Sequence, residues 1–210
     1  MSRESILHKV QTALGRRPGQ APTDIPPMRL RASEAKPEDQ VLQFCKAVEA
    51  LAGKAYCAAS KTDARAYASS LLGGGTAVAS DAPLLLECGI TSLPGAKTVV
   101  QGKEELRRLC AAADLGITGA DYALADTGTL VMLASAKEAR MISLLPPVHL
   151  AVVSRDRILA NLDELFLLVP RPDRITSSMV LITGPSRTAD IEQILIRGVH
   201  GPGELHVIIL

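Results

Sequence analysis

The chain has 210 residues, of which 47% are hydrophobic and only 2% aromatic, with no tryptophan, and its formal net charge is +1. This length and composition predict one main domain with a core of Leu, Val, Ile and Ala, which suits buried parallel strands covered by helices. The small charge excludes binding to nucleic acid or to an anionic membrane through the overall electric field, and the scarcity of rings excludes a platform that stacks single-stranded bases.

The four cysteines are widely spread and never form a C-x-x-C pair, so their spacing indicates neither a zinc nor an iron–sulfur site. We therefore expect no metal and no cofactor, and we expect free thiols in a reducing compartment. No apolar run approaches the roughly 18 residues of a membrane span, and the N-terminus lacks the apolar segment of a signal peptide. These features predict a soluble cytoplasmic protein without membrane insertion.

Residues 1–36 form a basic N-terminal segment, in which seven Lys and Arg outnumber three Asp and Glu. Residues 2–15 are predicted to form an amphipathic helix with Ile6, Val10 and Leu14 on one face. Residues 16–27 carry four prolines and are predicted to be an extended linker. The segment is either simply solvated or docks on an acidic partner.

The region 37–113 alternates between helices and strands and is where the domain, 37–210, is predicted to begin. Helices are predicted at 38–51, 62–72, 82–88 and 103–113, and strands at 54–59, 76–80 and 97–100. Strands that alternate with helices of this length predict a doubly wound, mostly parallel sheet in a three-layer α/β/α arrangement. Ligands of such sheets bind at the carboxyl ends of the strands. Neither G-x-G-x-x-G nor a Walker A sequence occurs, so nucleotide binding of those kinds has no motif.

The middle of the chain predicts a partly antiparallel meander of short strands at 115–119, 121–126, 129–135 and 148–154. The turn Asp126-Thr127-Gly128-Thr129 joins two of them, with Asp and Gly as turn residues and two hydroxyls expected to point outward. Thr127, Gly128 and Thr129 are candidate ligand-binding residues and Asp126 a candidate catalytic one. The other interpretation is a tight hairpin without a further role.

Two basic residues flank the apolar run 141–147, with Arg140 just before it and His149 at the start of the next strand. Arg140 is a candidate anion ligand. His149 is either a hydrogen-bonded structural histidine at a strand edge or a catalytic acid or base.

A helix is predicted over 155–168 and a strand over 179–183, which ends at Gly184-Pro185. Ser186 and Thr188 are predicted to cap a following helix with Asp190 and Glu192 in its first turn. Free amides at this helix start, with the guanidinium of Arg187 beside them, would bind a carboxylate or phosphate. The alternative is that the turn at Gly184 merely joins two elements.

A second turn, Gly198-Val199-His200-Gly201-Pro202, precedes a final strand over 204–210. Its glycines and proline restrict the backbone around His200, whose imidazole could serve as acid, base or anion ligand.

Three motifs together resemble the LUD domain of lactate utilization proteins: GITGADYALADTGTLVM at 116–132, SLLPPVHLAVV at 143–153, and GPSRTADIEQ with GVHGP within 184–202. The resemblance covers 115–210 strongly and the N-terminal half loosely. It implies an α/β/α fold of the class shared with sugar-phosphate isomerases and CoA transferases. It also implies a role in oxidising L-lactate to pyruvate beside partners that resemble iron–sulfur oxidoreductase subunits.

Three hypotheses follow. In the first, the chain is a subunit of a lactate-oxidising system that binds a small carboxylate at 186–188, with His149 or His200 relaying protons and electrons leaving through the partners. In the second, it is a stand-alone isomerase-like or CoA-transferase-like enzyme for a phosphorylated or acyl-CoA ligand. Its base or nucleophile would come from Asp121, Asp126, Asp190 and Glu192. In the third, the chain is a scaffold that works through its basic N-terminal segment.

Overall fold

The computed structural model describes residues 2–15, 30, 35–98, 102–135, 139–169, 178–189 and 195–210. The chain divides into two compact units, Met1–Leu30 and Arg31–Leu210. The first contains helix α1 (Arg3–Ala13), where the Ser2 hydroxyl accepts a hydrogen bond from the Ser5 amide at 3.3 Å and caps the helix. No residue of α1 is buried. Among the described residues, the helices are too short or too polar to span a lipid bilayer.

The second unit begins as the periodicity predicts, with α2 (Pro37–Ala50), β1 (Lys54–Cys57), α3 (Lys61–Leu72), β2 (Ala77–Ala79), α4 (Pro83–Glu87), β3 (Ala96–Thr98) and α5 (Lys103–Ala112). The middle contains β4 (Leu115–Gly119), β5 (Tyr122–Leu124), β6 (Thr129–Leu133), a 3₁₀ turn (Arg140–Ser143) and β7 (Val148–Val153). The rest contains a 3₁₀ turn (Arg155–Arg157), β8 (Ile158–Leu159), α6 (Leu162–Leu168), β9 (Met179–Thr183), β10 (Arg187–Ala189), β11 (Leu195–Arg197) and β12 (Glu204–Ile209). The predicted linker 16–27 lies outside the described residues.

The main sheet has, in the described part of the chain, six parallel strands in the order β1-β12-β7-β4-β2-β3. This confirms the predicted α/β class with a mostly parallel sheet. The last strand lies inside the sheet, since β12 pairs with β1 on one side (Lys54 opposite His206) and with β7 on the other (Glu204 opposite Val148). Every residue of β12 after Glu204 is buried.

Both faces of the main sheet are covered. One face packs under α3 and α4 through a cluster that includes Ala68, Leu85, Ile117, Leu150 and Ile208. The other packs under α2 and a smaller sheet, through a cluster that includes Phe44, Val48, Leu130, Ala151 and Val207. Because neither face is solvated, the central strands are mostly apolar, as is usual for parallel strands, and Thr118, His149 and His206 are buried polar residues within them.

The smaller sheet has the order β8-β5-β6-β9, with antiparallel β5–β6 and β6–β9 pairs and a parallel β5–β8 pair. The predicted meander is therefore only half correct. The strands at 122–124 and 129–133 form a hairpin, whereas β4 and β7 pair in parallel within the main sheet. All five residues of β4 are buried, and a strand buried on both faces suits the centre of a parallel sheet better than a half-exposed meander.

The prediction of a helix over 155–168 is wrong in its first half, where the chain forms the 3₁₀ turn Arg155–Arg157 and β8. The helix starts only at Leu162 because Asn161 caps it, accepting a hydrogen bond from the Glu164 amide at 3.1 Å. The Glu164 carboxylate in turn accepts from the Ala160 amide at 2.8 Å, which completes a reciprocal cap.

The helix predicted after Gly184 is also wrong in the described residues. The chain there forms the antiparallel pair β10–β11, with Arg187 opposite Arg197 and Thr188 opposite Ile196. Hydrogen bonds to residues distant in the sequence fix the start of this strand pair, since Ser186 donates its amide to the Pro202 carbonyl at 2.8 Å and accepts at its own carbonyl from the Gly198 amide at 3.0 Å. Asp190 and Glu192 lie outside the described residues.

Candidate functional site

A cavity of about 340 Å³ brings together several predicted site residues from distant parts of the sequence. The described residues that line it include Ser143, His149, Gly184, Ser186, Arg187 and His200, together with an apolar wall of Leu144, Val180, Leu181, Ile182 and Leu205. His149 and His200, which are 51 positions apart in the sequence, thus face one space. We call it the histidine cavity.

The histidine cavity lies at the amino-terminal ends of the parallel strands. His149 is the second residue of β7, Leu205 is the second residue of β12, and the turn at 198–203 leads into β12. Ligands of parallel sheets usually bind at the carboxyl ends, so this cavity lies at the opposite end of the strands from the one that the general rule predicts. The reason is connectivity: the turns at 184–186 and 198–203 both precede β12, so they lie at its amino-terminal end.

His149 lies inside the main sheet and not at the strand edge that we expected. It is 1% exposed, and its Nε2 is 2.8 Å from the Thr118 hydroxyl on the neighbouring strand β4. Burial lowers the pKa of His149 to about 4, so the ring is neutral at neutral pH. His149 can thus exchange hydrogen bonds with a ligand but does not act as a cation.

Arg187 is exposed at the rim of the histidine cavity and donates from Nη2 to the carbonyl of Leu51, the C-cap residue that follows α2. A carbonyl at the C-terminus of a helix is a favourable place for a cation. The guanidinium has five N–H donors, and within the described residues this is its single hydrogen bond or ion pair. The remaining donors are available to an anion.

The amides of the 184–186 turn do not form the predicted anion cradle. The Ser186 amide is already bound to the Pro202 carbonyl, and Gly184 packs so closely on α2 that an added Cβ would lie 3.1 Å from the Leu51 Cβ. Thr188 lies in β10 opposite Ile196 and does not line the cavity. Anion recognition here depends on side chains.

The 3₁₀ turn Arg140–Ser143 supplies a hydroxyl group that the sequence analysis did not identify as a candidate. Ser143 is buried, lines the histidine cavity and donates its hydroxyl to the Arg140 carbonyl at 3.0 Å. Ser143 is the first residue of the SLLPPVHLAVV motif, and this position could have identified it as a candidate site residue. Arg140 is exposed and lines a small adjoining cleft with Ser143 and Val180. Its guanidinium has no partner within the described ranges.

The Asp126-Thr127-Gly128-Thr129 turn supports the site but does not line it. The hydroxyls do not both point outward: Thr127 bonds to Thr129 at 2.7 Å, and Thr129 bonds to Thr183 of β9 at 2.9 Å. Gly128 has a φ of +63° and packs directly on the backbone of α2 at Ala47 and Val48. The side chain of Asp126 is exposed outside the cavity.

The charge of the histidine cavity favours an anion. Among the described residues that line it, Arg187 carries a guanidinium and none carries a carboxylate. Its volume lies within the range of about 300–1,000 Å³ that is common for small-molecule sites. A compact anion with an apolar part would match both the arginine and the apolar wall.

A second cavity, of about 500 Å³, lies at the carboxyl ends of β4 and β7, and we call it the carboxyl-end cavity. Its charged lining residues are Glu87, Asp121, Asp156 and Arg157. The Asp121 carboxylate accepts a hydrogen bond from the Leu133 amide at 2.6 Å. The Arg157 guanidinium lies over the Tyr122 ring, 5.4 Å from its centroid. Three carboxylates against one guanidinium disfavour a bare anion in this space.

No cluster of three or more His, Cys, Asp or Glu side chains suited to a metal ion occurs in the part of the chain that the structure describes. The four cysteines are free, with Cys88 and Cys110 buried, Cys45 half-buried and Cys57 exposed. The expectation that the chain carries no cofactor remains a prediction.

Among known protein families, the LUD domain matches residues 41–210 of this chain. Lactate utilization protein C of Halalkalibacterium halodurans is 42% identical over 94 residues, 43% of this chain and 41% of that protein. Lactate utilization protein C 1 of Bacillus mycoides is 38% identical over 104 residues, 48% of this chain and 44% of that protein. The matched part of the chain therefore spans less than half the length of these two relatives.

Among solved structures, a DUF162 family protein from Deinococcus radiodurans matches with a TM-score of 0.62 and 21% sequence identity. The match covers 83% of this chain and 98% of that one. At this level of identity the likeness shows a shared fold.

Proposed function

The chain belongs to the LUD domain family, and from this we propose that it takes part in bacterial lactate utilization as a subunit that binds a small carboxylate. The names of its relatives support the process, and the histidine cavity supports the ligand class. Electrons would pass to partner proteins that resemble iron–sulfur oxidoreductases, because the cysteines of this chain lack cluster spacing.

This proposal rests on one observation: Arg187 lines the same cavity as a wall of apolar side chains. A guanidinium binds a carboxylate through two parallel N–H donors, and Arg187 keeps donors available for this beside the one it gives to Leu51. The wall of Val180, Ile182 and Leu205 would receive the methyl group of a three-carbon acid.

The two histidines would serve the oxygen on the second carbon, which is a hydroxyl in lactate and a keto oxygen in pyruvate. His149 is held neutral and bonded to Thr118, so its ring can accept a proton from a hydroxyl or donate a hydrogen bond to a keto oxygen, depending on its tautomer. His200 lies on the 198–203 turn, lines the same cavity and is exposed to solvent, so it would give a proton a route out of the cavity.

A calorimetric titration of the purified chain with L-lactate and with pyruvate tests the proposal. We expect Arg187→Ala to weaken binding by about 10- to 100-fold, because a hydrogen bond to a charged group contributes roughly 1.5–3 kcal/mol. Arg187→Lys keeps the positive charge but loses the two parallel N–H donors of the guanidinium, and it should weaken binding less than Arg187→Ala does. Arg108→Ala, at an exposed position of α5, is the matched control and should leave affinity unchanged. Equal affinity in wild type and Arg187→Ala would refute the assignment.

The alternative is a stand-alone enzyme for a phosphorylated or acyl-CoA ligand, and one observation favours it. The carboxyl-end cavity holds Asp121 where ligands of parallel sheets usually bind. Its three carboxylates disfavour a phosphate, and Asp126 lies outside both cavities. Turnover of a sugar phosphate or an acyl-CoA by the isolated chain, lost in Asp121→Asn, would support this alternative. Carboxylate binding without such turnover would support the first proposal.

A further inference from the structure

Two of the four thiols face each other across the packed elements α2 and β1. Cys45 lies in the middle of α2, Cys57 is the last residue of β1, and their sulfur atoms are 3.7 Å apart. We propose that Cys45 and Cys57 are a redox-active pair that closes to an intramolecular disulfide. This inference is independent of the proposed function.

The geometry requires only a small movement. A disulfide bond is about 2.05 Å long, so the two sulfur atoms would have to approach each other by roughly 1.7 Å. Cys45 and Ala55 pack against the same buried cluster, so α2 and β1 already lie side by side where the bond would form. Rotation of two side chains, without a shift of the sheet, is the kind of movement that this distance requires.

The two thiols differ in access. Cys57 is exposed on the edge strand of the main sheet, whereas Cys45 is half-buried. Burial, together with the neighbouring Cys57, raises the pKa of Cys45 to about 12. Cys57 is therefore the thiol that a dissolved oxidant meets first, and Cys45 is the second thiol that completes the bond. Cys88 and Cys110 are buried in other clusters and lack this access.

Closure removes two electrons and two protons from the pair. A small-molecule disulfide such as oxidised glutathione supplies the oxidising equivalent: the Cys57 thiolate displaces one glutathione thiol and forms a mixed disulfide. The Cys45 sulfur then attacks Cys57 and releases the second glutathione thiol. The azo compound diamide performs the same oxidation and is itself reduced to the hydrazine.

The bond would fasten α2 to the edge of the sheet. The carbonyl of Leu51, the C-cap residue of this helix, accepts the hydrogen bond from Arg187, and the backbone of the helix packs against Gly128. A cross-link between residues 45 and 57 closes a short loop, and such loops stabilise mainly by restricting the unfolded chain. We expect the thermal midpoint to rise by about 4–10 °C on oxidation and to return on reduction.

The experiment treats the full chain with diamide, blocks the remaining thiols and maps peptides without reduction. We expect two thiols to disappear and one cross-linked peptide pair, carrying positions 45 and 57, to appear. Cys45→Ser and Cys57→Ser should each abolish it, and Cys88→Ala should keep it. The wild-type map decides the question even where a variant folds poorly. Persistence of all four thiols, or a link between different chains or different cysteines, would overturn the proposal.

Discussion

His149 is held in its neutral form by the protein around it. Its ring is enclosed by β4, β7 and the histidine cavity, and its hydrogen bond to Thr118 is made without a charged partner. A histidine whose pKa is lowered in the folded state binds a proton more readily when unfolded. Stability is therefore fully present above pH 6.5 and is lost as the pH falls toward 4, the pKa of the folded state.

The first prediction concerns this pH dependence. Between pH 7 and pH 5 the free energy of unfolding should fall by about 2 kcal/mol through His149. His149→Gln has no such titration and should remove about that much of the dependence, as measured by urea unfolding at pH 5, 6 and 7. His8→Gln, in the exposed helix α1, is the control and should keep the wild-type slope. An unchanged slope in His149→Gln would contradict the assignment.

The 3₁₀ turn Arg140–Ser143 can lie against β4 only because Gly116 has no side chain. A Cβ at Gly116 would collide with the carbonyl of Ile142, and it would lie 3.0 Å from the ring of Pro146. This close approach places Ser143 at the histidine cavity and Arg140 at its adjoining cleft. The site therefore depends on how two elements pack and not on the local sequence of either one.

Gly116→Ala should consequently cost about 2–4 kcal/mol of unfolding free energy, because backbone and proline ring would have to move apart. Chemical unfolding measures the loss, and carboxylate titration measures its effect on the site. Gly203→Ala is the matched control, since a Cβ there meets ordinary contacts of 3.6 Å and its φ is not positive. Similar stability in Gly116→Ala and Gly203→Ala would show that the turn packs differently.

The whole chain consists of a small basic unit and a large unit with its own core. The Arg31–Leu210 unit contains all three sheets of the described residues, the histidine cavity and the carboxyl-end cavity, whereas α1 in the Met1–Leu30 unit buries none of its residues. The apolar face of α1, with Ile6, Val10 and Leu14 exposed, is consistent with the hypothesis that this segment docks on a partner. That hypothesis remains a prediction.

A chain that starts at residue 31 should keep its thermal midpoint within about 2 °C, because burial of apolar surface stabilises a fold and α1 contributes none. Differential scanning calorimetry provides the measurement. Removal of 204–210 is the opposite case and should prevent folding, since β12 pairs on both sides within the main sheet. A drop of more than about 5 °C on deleting 1–30 would show that the segment belongs to the core.

Local pattern in the sequence determined the class of the fold and most of its elements. Helix periodicity and capping residues located α2, α3 and α5 to within a residue or two, and short apolar runs located β1, β4, β9 and β12. These signals are local because a helix cap or an alternating strand needs only its sequence neighbours. The family motifs likewise lie in continuous stretches, so the LUD resemblance could be read without coordinates and is confirmed.

Only the tertiary structure decided how these pieces meet. It placed the last strand inside the sheet, brought His149 and His200 to one cavity at the amino-terminal ends, and set Cys45 beside Cys57. In the described residues after Ser186 it also shows the antiparallel pair β10–β11 where the helix was predicted. The physical reason is that the bonds responsible, such as Ser186 to Pro202 and Arg187 to Leu51, join residues far apart in the sequence. The periodicity of a short segment does not reveal such contacts. In the segment after Ser186 they outweigh a weak helix propensity.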